Sequence, residues 1–397
     1  MKKPIQISAS TLVSSLGKGR IAHLEKLKKA QTGLTQDVLS FKTKLSAYYG
    51  EVAHCDQVQI PDYLSDFDCR NHQLAWLALT TDNFNQAVQK VIKKRGAQRI
   101  GLAVGTSTSG ILATEEVLAY KAKHGHFHSD YDYQKTHRMD ALAEFCAQAL
   151  AIEGPRLIIS TACSSSAKVF ATASRWLDAD LVDAVVVGGV DTLCLTTIHG
   201  FNSLKLISSE ITQPLDQNRN GINIGEAGGF MLLEPVQEPD KIQLTGFSET
   251  SDAYHISTPH PDGEGAKQAM LNALKMAQLK PHQIDYLNLH GTGTPSNDLA
   301  EAKAVNAVFN QTLPLHSSTK GFTGHTLGAA GITEAIFCQW ALEQQFVPAN
   351  LNLQQLDPAL MLNPVTQTTP ALLQHCLTNS FGFGGNNACL IFSKEKQ

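Results

Sequence analysis

Cys163 stands where an apolar run turns small and polar. Leu157-Ile158-Ile159-Ser160-Thr161-Ala162 leads into Cys163, three serines (Ser164, Ser165, Ser166), and helical spacing at Ala167, Val169, Phe170, Ala173 and Trp176. This pattern predicts a buried strand, a sharp turn, and a helix starting at the cysteine. A thiol in that position meets the positive end of the helix dipole and free backbone N–H groups, both of which favour the nucleophilic thiolate. The small neighbours leave room for an acyl group. Cysteine is also a common buried packing residue, so this run alone leaves nucleophile and structural thiol both open.

Two histidines recur in the same kind of setting. Asp285-Tyr286-Leu287-Asn288-Leu289-His290 is an apolar strand ending on histidine, followed by Gly291-Thr292-Gly293-Thr294-Pro295. Ser317-Ser318-Thr319-Lys320 leads through Gly321-Phe322-Thr323-Gly324 to His325 and then Thr326-Leu327-Gly328-Ala329-Ala330-Gly331. A fourth glycine-rich turn lies at Asn379-Ser380-Phe381-Gly382-Phe383-Gly384-Gly385. In α/β folds, sites assemble at the carboxyl ends of strands. One cysteine and two histidines, each at such an end, are a poor match to chance packing and favour the nucleophile reading of Cys163.

Thr161-Ala162-Cys163, His290-Gly291-Thr292-Gly293-Thr294, Lys320 with His325 five positions on, and Phe381-Gly382-Phe383-Gly384-Gly385 together resemble the β-ketoacyl-[acyl-carrier-protein] synthases of the thiolase superfamily. The resemblance covers essentially the whole chain. Within that family, Cys163-Ser164-Ser165-Ser166-Ala167-Lys168 and Gly221-Ile222-Asn223-Ile224-Gly225-Glu226-Ala227 look more like the ketosynthases of bacterial aryl-polyene pathways.

The resemblance implies an α/β fold of five layers, αβαβα, in two pseudo-symmetric halves with the site between them. It implies a decarboxylative Claisen condensation of malonyl carrier protein with an acyl chain held on Cys163, in fatty-acid or aryl-polyene/polyketide elongation. The oxyanion donors implied are the backbone N–H groups of Cys163 and Phe383. His290 and His325 are implied to stabilise the enolate formed on decarboxylation; the ring nitrogen that donates is open at this point. Lys320 orients the site and Glu334 holds Lys320. Thr292 and Thr294 resemble the hydroxyls that bind the phosphopantetheine arm, and Phe381 and Phe383 gate the acyl pocket. No cofactor or metal is implied, since the substrates arrive on the carrier's phosphopantetheine. The partners implied are acyl carrier protein and a second thiolase-like chain. That chain is either a copy of this one, giving a homodimer, or a chain-length-factor-like homologue, giving a heterodimer.

Two alternatives share the fold. A non-catalytic chain-length factor lacks the nucleophile, whereas this chain has Cys163 and both histidines. A coenzyme-A-dependent thiolase uses a second, C-terminal cysteine; here the C-terminal glycine motif carries Phe383, with Cys376 and Cys389 off it.

These residues need strands to hold them. Apolar runs predict strands near 100–104, 157–160, 184–187 and 230–233, then 242–245, 286–289, 315–318 and 388–392, with a first strand from Pro4 to Ser10. Near-continuous apolar strands such as Ala184-Val185-Val186-Val187 suit sheets covered on both faces. Pro235 and Pro239 punctuate the chain midway, so residues 1–238 form the half with the nucleophile and residues 239–397 the half with both histidines. Residues about 106–140 and 193–220 are expected as cap insertions lining the acyl pocket and the dimer interface.

The 397-residue chain carries net charge −4 and is 43% hydrophobic, which suits an enzyme with a large core and argues against a nucleic-acid partner. An acidic carrier protein needs a local basic patch, for which Lys93, Lys94, Arg95 and Lys205 are candidates. Eight cysteines without a disulfide ladder suit reduced thiols in the cytoplasm. Met1-Lys2-Lys3 is followed by a stretch too polar for a signal peptide, and no run is apolar enough to cross a membrane. His54, Cys55, Cys69 and His72 lack compact zinc-knuckle spacing. His124, His126, His128 and His137 read as loop or subunit-interface residues. No glycine loop has Walker or Rossmann spacing, so no nucleotide is expected.

Overall fold

Eleven strands build one sheet, and its topology is written twice. The computed structural model describes residues 4–36, 43, 45–128, 131–238, 240–310 and 312–394; Met1–Lys3 and Pro239, used in the sequence reading, lie outside these. The first set is β1 (Ile5–Ser14), β2 (Gly17–Lys18), β3 (Ile100–Gly105), β4 (Arg156–Ile159), β5 (Ala184–Asp191) and β6 (Ala227–Pro235). The second is β7 (Gln243–Ser251), β8 (Tyr286–Asn288), β9 (Leu315–Ser317), β10 (His375–Gly382) and β11 (Asn386–Ser393). The order across the sheet is β9-β8-β10-β11-β7-β1-β6-β5-β3-β4, with β2 paired to β1.

Outward from the middle, each set repeats one pattern. β1 pairs β6 and β6 pairs β5 antiparallel, then β5–β3 and β3–β4 are parallel. Likewise β7–β11 and β11–β10 are antiparallel, then β10–β8 and β8–β9 parallel. Among the described residues the sets pair through Ile5↔Leu244 and Gln6↔Gln243, and the Ile7 amide donates to the Ile242 carbonyl at 2.9 Å. Under this symmetry β4 corresponds to β9. The turn bearing Cys163 after β4 and the segment bearing His325 after β9 are therefore equivalent positions brought face to face.

Hydrophobicity explains the layering. Every residue of Ala184–Asp191 is buried, as a strand covered on both faces requires. The helices Ser165–Asp178 and Ala330–Gln344 lie centrally and touch strands of both sets, while Arg70–Thr80 covers the first set and Glu264–Ala277 the second. Ala330–Gln344 is buried from Ala330 through Leu342, which suits the middle layer. These are the five layers of the thiolase-like fold.

All the expected strands are present, several of them longer than the apolar runs. β10 is the strand before the fourth glycine-rich turn; it is not among the apolar runs because Thr378, Asn379 and Ser380 interrupt its pattern, yet these are fully buried. The cap regions contribute Ile111–His124, Tyr133–Thr136 and Leu195–Ser203. The histidine run is part helix: His124 ends Ile111–His124 and Gly125 caps it at φ +82°. His124 stacks on Tyr120, and His126 and His128 meet the same ring edge-on.

Candidate active site

The nucleophile turn is tied by its own serines. Ala162 takes a left-handed φ of +52°, and the helix begins at Ser165, two residues later than the sequence pattern places it. Ser164 Oγ donates to the Thr161 carbonyl at 2.9 Å and Ser165 Oγ to the Ala162 carbonyl at 2.6 Å. The Thr161 amide donates to Ser165 Oγ at 2.9 Å. These bonds hold a conformation that an alanine rarely adopts.

The turn Phe381–Gly385 closes over Cys163. A Cβ on Gly382 would sit 2.9 Å from the Thr161 carbonyl oxygen and 3.2 Å from the Cys163 nitrogen, so only glycine allows this approach. The backbone amides of Phe383 and Cys163 both act on the Cys163 sulfur and favour its thiolate. The expected pair of oxyanion donors thus converges on one atom.

His325 is held by the glycine-rich stretch that follows the second cap. Its amide donates to the Asn223 carbonyl at 2.7 Å and its carbonyl accepts from Gly225 at 3.0 Å. Nε2 lies 3.0 Å from Cys163 Sγ, and Nδ1 accepts from the Leu327 amide at 3.3 Å. An amide can only donate, so the proton sits on Nε2 and points at sulfur. His290 follows the same logic. Lys320 Nζ, a donor only, lies 3.4 Å from His290 Nδ1 and also bonds the His290 carbonyl, which leaves Nε2 to carry the proton. The two rings meet at 84° with centroids 5.3 Å apart.

Lys320 and Glu334 form a buried pair, Nζ to Oε1 at 2.5 Å. Burial pushes Glu334 up to about 7 despite the lysine. Burial, then the Lys320 charge, holds both histidines well below their usual range, and His325 adds to the effect on His290. Both rings are neutral near pH 7. The thiol behaves differently from the sequence expectation: burial pushes Cys163 up to about 11, outweighing Lys320 and the two amides. The helix start therefore does not deliver a resting thiolate.

The ligand atoms of Cys163, His290 and His325 all lie within 4.8 Å of one another, a set that could bind a metal by residue type. Two features favour hydrogen bonding instead. Both nitrogens facing the centre carry protons, and the Lys320 charge beside them opposes a second cation.

A cavity opens onto this centre. Phe201, Leu206 and Ile222 form an apolar side; Thr292, Thr294 and Asn297 form a polar one; Phe381 and Phe383 line it too. The Thr292 and Thr294 hydroxyls are 3.0 Å apart, and Phe201 packs on Phe383 at 5.4 Å.

Sequence reasoning missed Glu301, Asp298 and Asp191. Glu301 accepts from the His290 amide at 2.8 Å, the Gly291 amide at 2.7 Å and Asn379 Nδ2 at 3.0 Å. Asp298 accepts from the Gly293 amide at 3.2 Å. The available signal was two acids among the alanines of the buried face of Pro295–Phe309.

Lys93, Lys94 and Arg95 end the helix Phe84–Arg95 that leads into β3 at Ile100, whereas Cys163 follows the far end of the parallel β4. They sit about 20 Å of strand away from the cavity and do not frame it. Lys205 is exposed and adjoins Leu206 in the chain; Leu206 lines the cavity and Lys205 itself does not. Cys69 Sγ lies 3.4 Å from His72 Nδ1, His72 stacks on Phe145, and Cys55 donates to the Arg70 carbonyl. Cys376 and Cys389 are buried within the sheet. All eight cysteines are free thiols. Among the described residues, no helix is long and apolar enough to cross a membrane.

Comparison with known proteins agrees with this geometry. Residues 67–238 match the beta-ketoacyl synthase N-terminal domain and residues 242–354 the C-terminal domain. A mitochondrial 3-oxoacyl-[acyl-carrier-protein] synthase of Arabidopsis thaliana is 37% identical over 61% of this chain and 57% of its own length. A 3-oxoacyl-[acyl-carrier-protein] synthase 2 of Synechocystis is 32% identical over 77% of each chain. A ketosynthase from Xenorhabdus doucetiae, solved in complex with its chain length factor, superposes with a TM-score of 0.89. It is 36% identical, over 99% of this chain and 98% of that one.

Proposed function

This chain belongs to the β-ketoacyl synthase family and is a β-ketoacyl-[acyl-carrier-protein] synthase that elongates acyl chains; from that premise we propose how its residues divide the work. Cys163 sulfur attacks the carbonyl carbon of an acyl-carrier thioester. The bond to the pantetheine sulfur breaks, and the proton from Cys163 ends on that departing sulfur. The oxyanion formed on the way accepts from the amides of Cys163 and Phe383. Malonyl carrier protein then binds, its arm along Thr292 and Thr294. The bond to its carboxylate breaks, carbon dioxide leaves, and the electron pair becomes an enolate. The enolate oxygen accepts from the Nε2–H groups of His290 and His325. The carbanion attacks the acyl-Cys163 carbonyl, a carbon–carbon bond forms, and the Cys163 sulfur leaves as a thiolate that takes up one proton from solvent, which restores the resting thiol. Lys320, held by Glu334, fixes the His290 tautomer. No cofactor takes part.

One observation carries this reading: His325 Nε2 stands 3.0 Å from Cys163 Sγ while its Nδ1 is already occupied by an amide. That leaves a neutral, preoriented donor beside the nucleophile.

The chain elongated is a conjugated aryl polyene, and the partner is a chain-length-factor-like homologue. Support comes from Cys163–Lys168, from Gly221–Ala227, and from the full-length likeness to a ketosynthase that pairs with a chain length factor. The apolar cavity side suits a rigid chain, which loses little rotamer entropy on binding. Acyl carrier protein docks at the cavity mouth near Lys205, in the cytoplasm. Intact-mass measurement of acyl-Cys163, with saturated and conjugated acyl carriers of equal length in competition, tests the substrate. Preference for the saturated chain, with and without the partner, would return the enzyme to ordinary fatty-acid elongation.

A further inference from the structure

Asp191 ends β5, is fully buried, and no charged side chain bonds it among the described residues. Its two oxygens accept from six donors: Thr106 Oγ1, the Ser107 amide and Oγ, the Thr108 amide and Oγ1, and the Gly328 amide. The first five come from the loop after β3. The sixth, at 2.6 Å, comes from the turn after His325.

That turn sets the state of His325. Leu327, whose amide occupies His325 Nδ1, has a left-handed φ of +54°, a conformation that leucine rarely adopts and that persists only where neighbours fix it. The next amide, of Gly328, is the one Asp191 grips. A Cβ on Gly328 would lie 2.7 Å from Asp191 Oδ2 and 2.8 Å from the Ser107 nitrogen, so the grip needs glycine. The contacts run from the carboxylate to the Gly328 amide, to the strained Leu327 amide, to Nδ1, and through the ring to Nε2–H at Cys163 Sγ. His290 is held separately, by Glu301 and Lys320.

We propose that Asp191 is a positioning residue for the condensation: by clamping the Gly328 amide to the loop after β3, it fixes the tautomer and aim of His325. Asp191 touches no substrate. The proposal deepens the mechanism above and rests on His325 being an enolate donor.

The test is D191N in the full-length enzyme, assembled as it is purified. The carboxamide matches the shape but offers one acceptor oxygen and turns an NH₂ group toward donors. Malonyl decarboxylation should fall about tenfold or more with KM for malonyl carrier protein unchanged. Nitrogen-15 histidine NMR should show His325 moving from a single Nε2–H tautomer to a mixture, with His290 unmoved. Decarboxylation within about twofold of wild type overturns the proposal, and so does a lost rate with an unchanged His325 tautomer. Should D191N fail to fold, G328A displaces the same amide and must give the same pair of changes. The tautomer readout needs no turnover. A wild type that releases no carbon dioxide would therefore count against the proposed mechanism, while the NMR still decides on the clamp.

Discussion

Cys163 is a thiol that burial keeps protonated at rest, and its reactivity comes from position. With its pKa at about 11, alkylation by iodoacetamide should keep climbing with pH well past 9, with no plateau near neutrality. Cys194 is raised to a similar value, but it bonds Thr197 and does not line the cavity, so peptide mapping should find Cys163 labelled first. Uniform labelling of all eight cysteines would remove the nucleophile assignment. The histidines carry the second half-reaction. His290→Ala or His325→Ala should slow release of labelled carbon dioxide by about 10²–10³, the usual cost of one such donor, and slow acyl transfer less. Near-normal decarboxylation in either variant excludes that histidine. Lys320 bears on pH. A cation beside an imidazole disfavours its protonation, so the Lys320 charge lowers both histidines below what burial alone achieves. Lys320→Met should therefore raise both values and move the acid limb of the decarboxylation profile to higher pH. An acid limb that stays put or moves lower would show that burial alone sets the histidines.

The elements that hold these residues were legible where apolar periodicity is strong. Ala184–Asp191 and Asn386–Ser393 announce themselves, being buried on both faces. His375–Gly382 does not, because Thr378, Asn379 and Ser380 are polar yet buried, and Asn379 is spent on Glu301. Cys163, His290 and His325 were legible from glycine-rich turns at strand ends. Glu301, Asp298 and Asp191 were not, since a carboxylate that binds distant backbone amides leaves no local pattern. The thiol's protonation was misjudged for a related reason: the helix dipole is visible in sequence, but the desolvation that outweighs it depends on tertiary burial. At this scale the contact nearest the chemistry lies between the two central helices. Ile332 donates to Ser166 Oγ at 2.9 Å, and a Cβ on Gly331 would stand 2.4 Å from the Ala167 nitrogen. Gly331→Ala must push backbone apart between Cys163 and His325. Overpacking of this kind costs about 1–3 kcal/mol, measurable as a lower urea midpoint at unchanged slope. Activity should fall as the 3.0 Å contact opens, and a variant as stable and active as wild type would mean the helices have slack.

The whole molecule leaves one long axis unfinished. The sheet ends at β4 on the side of the nucleophile, and Leu157, Ile158 and Ile159 there are only half-buried. The Pro155 and Ile159 carbonyls accept from the Leu102 and Thr106 amides of the β3 side, so alternation turns the Ile158 amide and carbonyl outward. Natural edge strands are usually covered or blunted, and this one has no proline or inward charge within Leu157–Ile159. A second thiolase-like chain adding its own edge strand across a two-fold or pseudo-two-fold axis would finish the sheet and bury these residues. The nucleophile turn begins at the next residue, so the pairing would also brace Ala162 and Cys163. Ile158→Pro removes one outward donor and fits the φ of an edge position, leaving the bonds to β3 intact. The variant should fold with a near-normal far-ultraviolet spectrum, yet elute at monomer mass in size exclusion both alone and after co-expression with a chain-length-factor-like partner. Its acylation by acyl carriers should fall with the assembly and recover as protein concentration rises. A variant that stays dimeric at every concentration would place the interface elsewhere on the molecule. The cap helices Ile111–His124 and Leu195–Ser203 would then be the surfaces to substitute next, since they pack on each other beside the cavity.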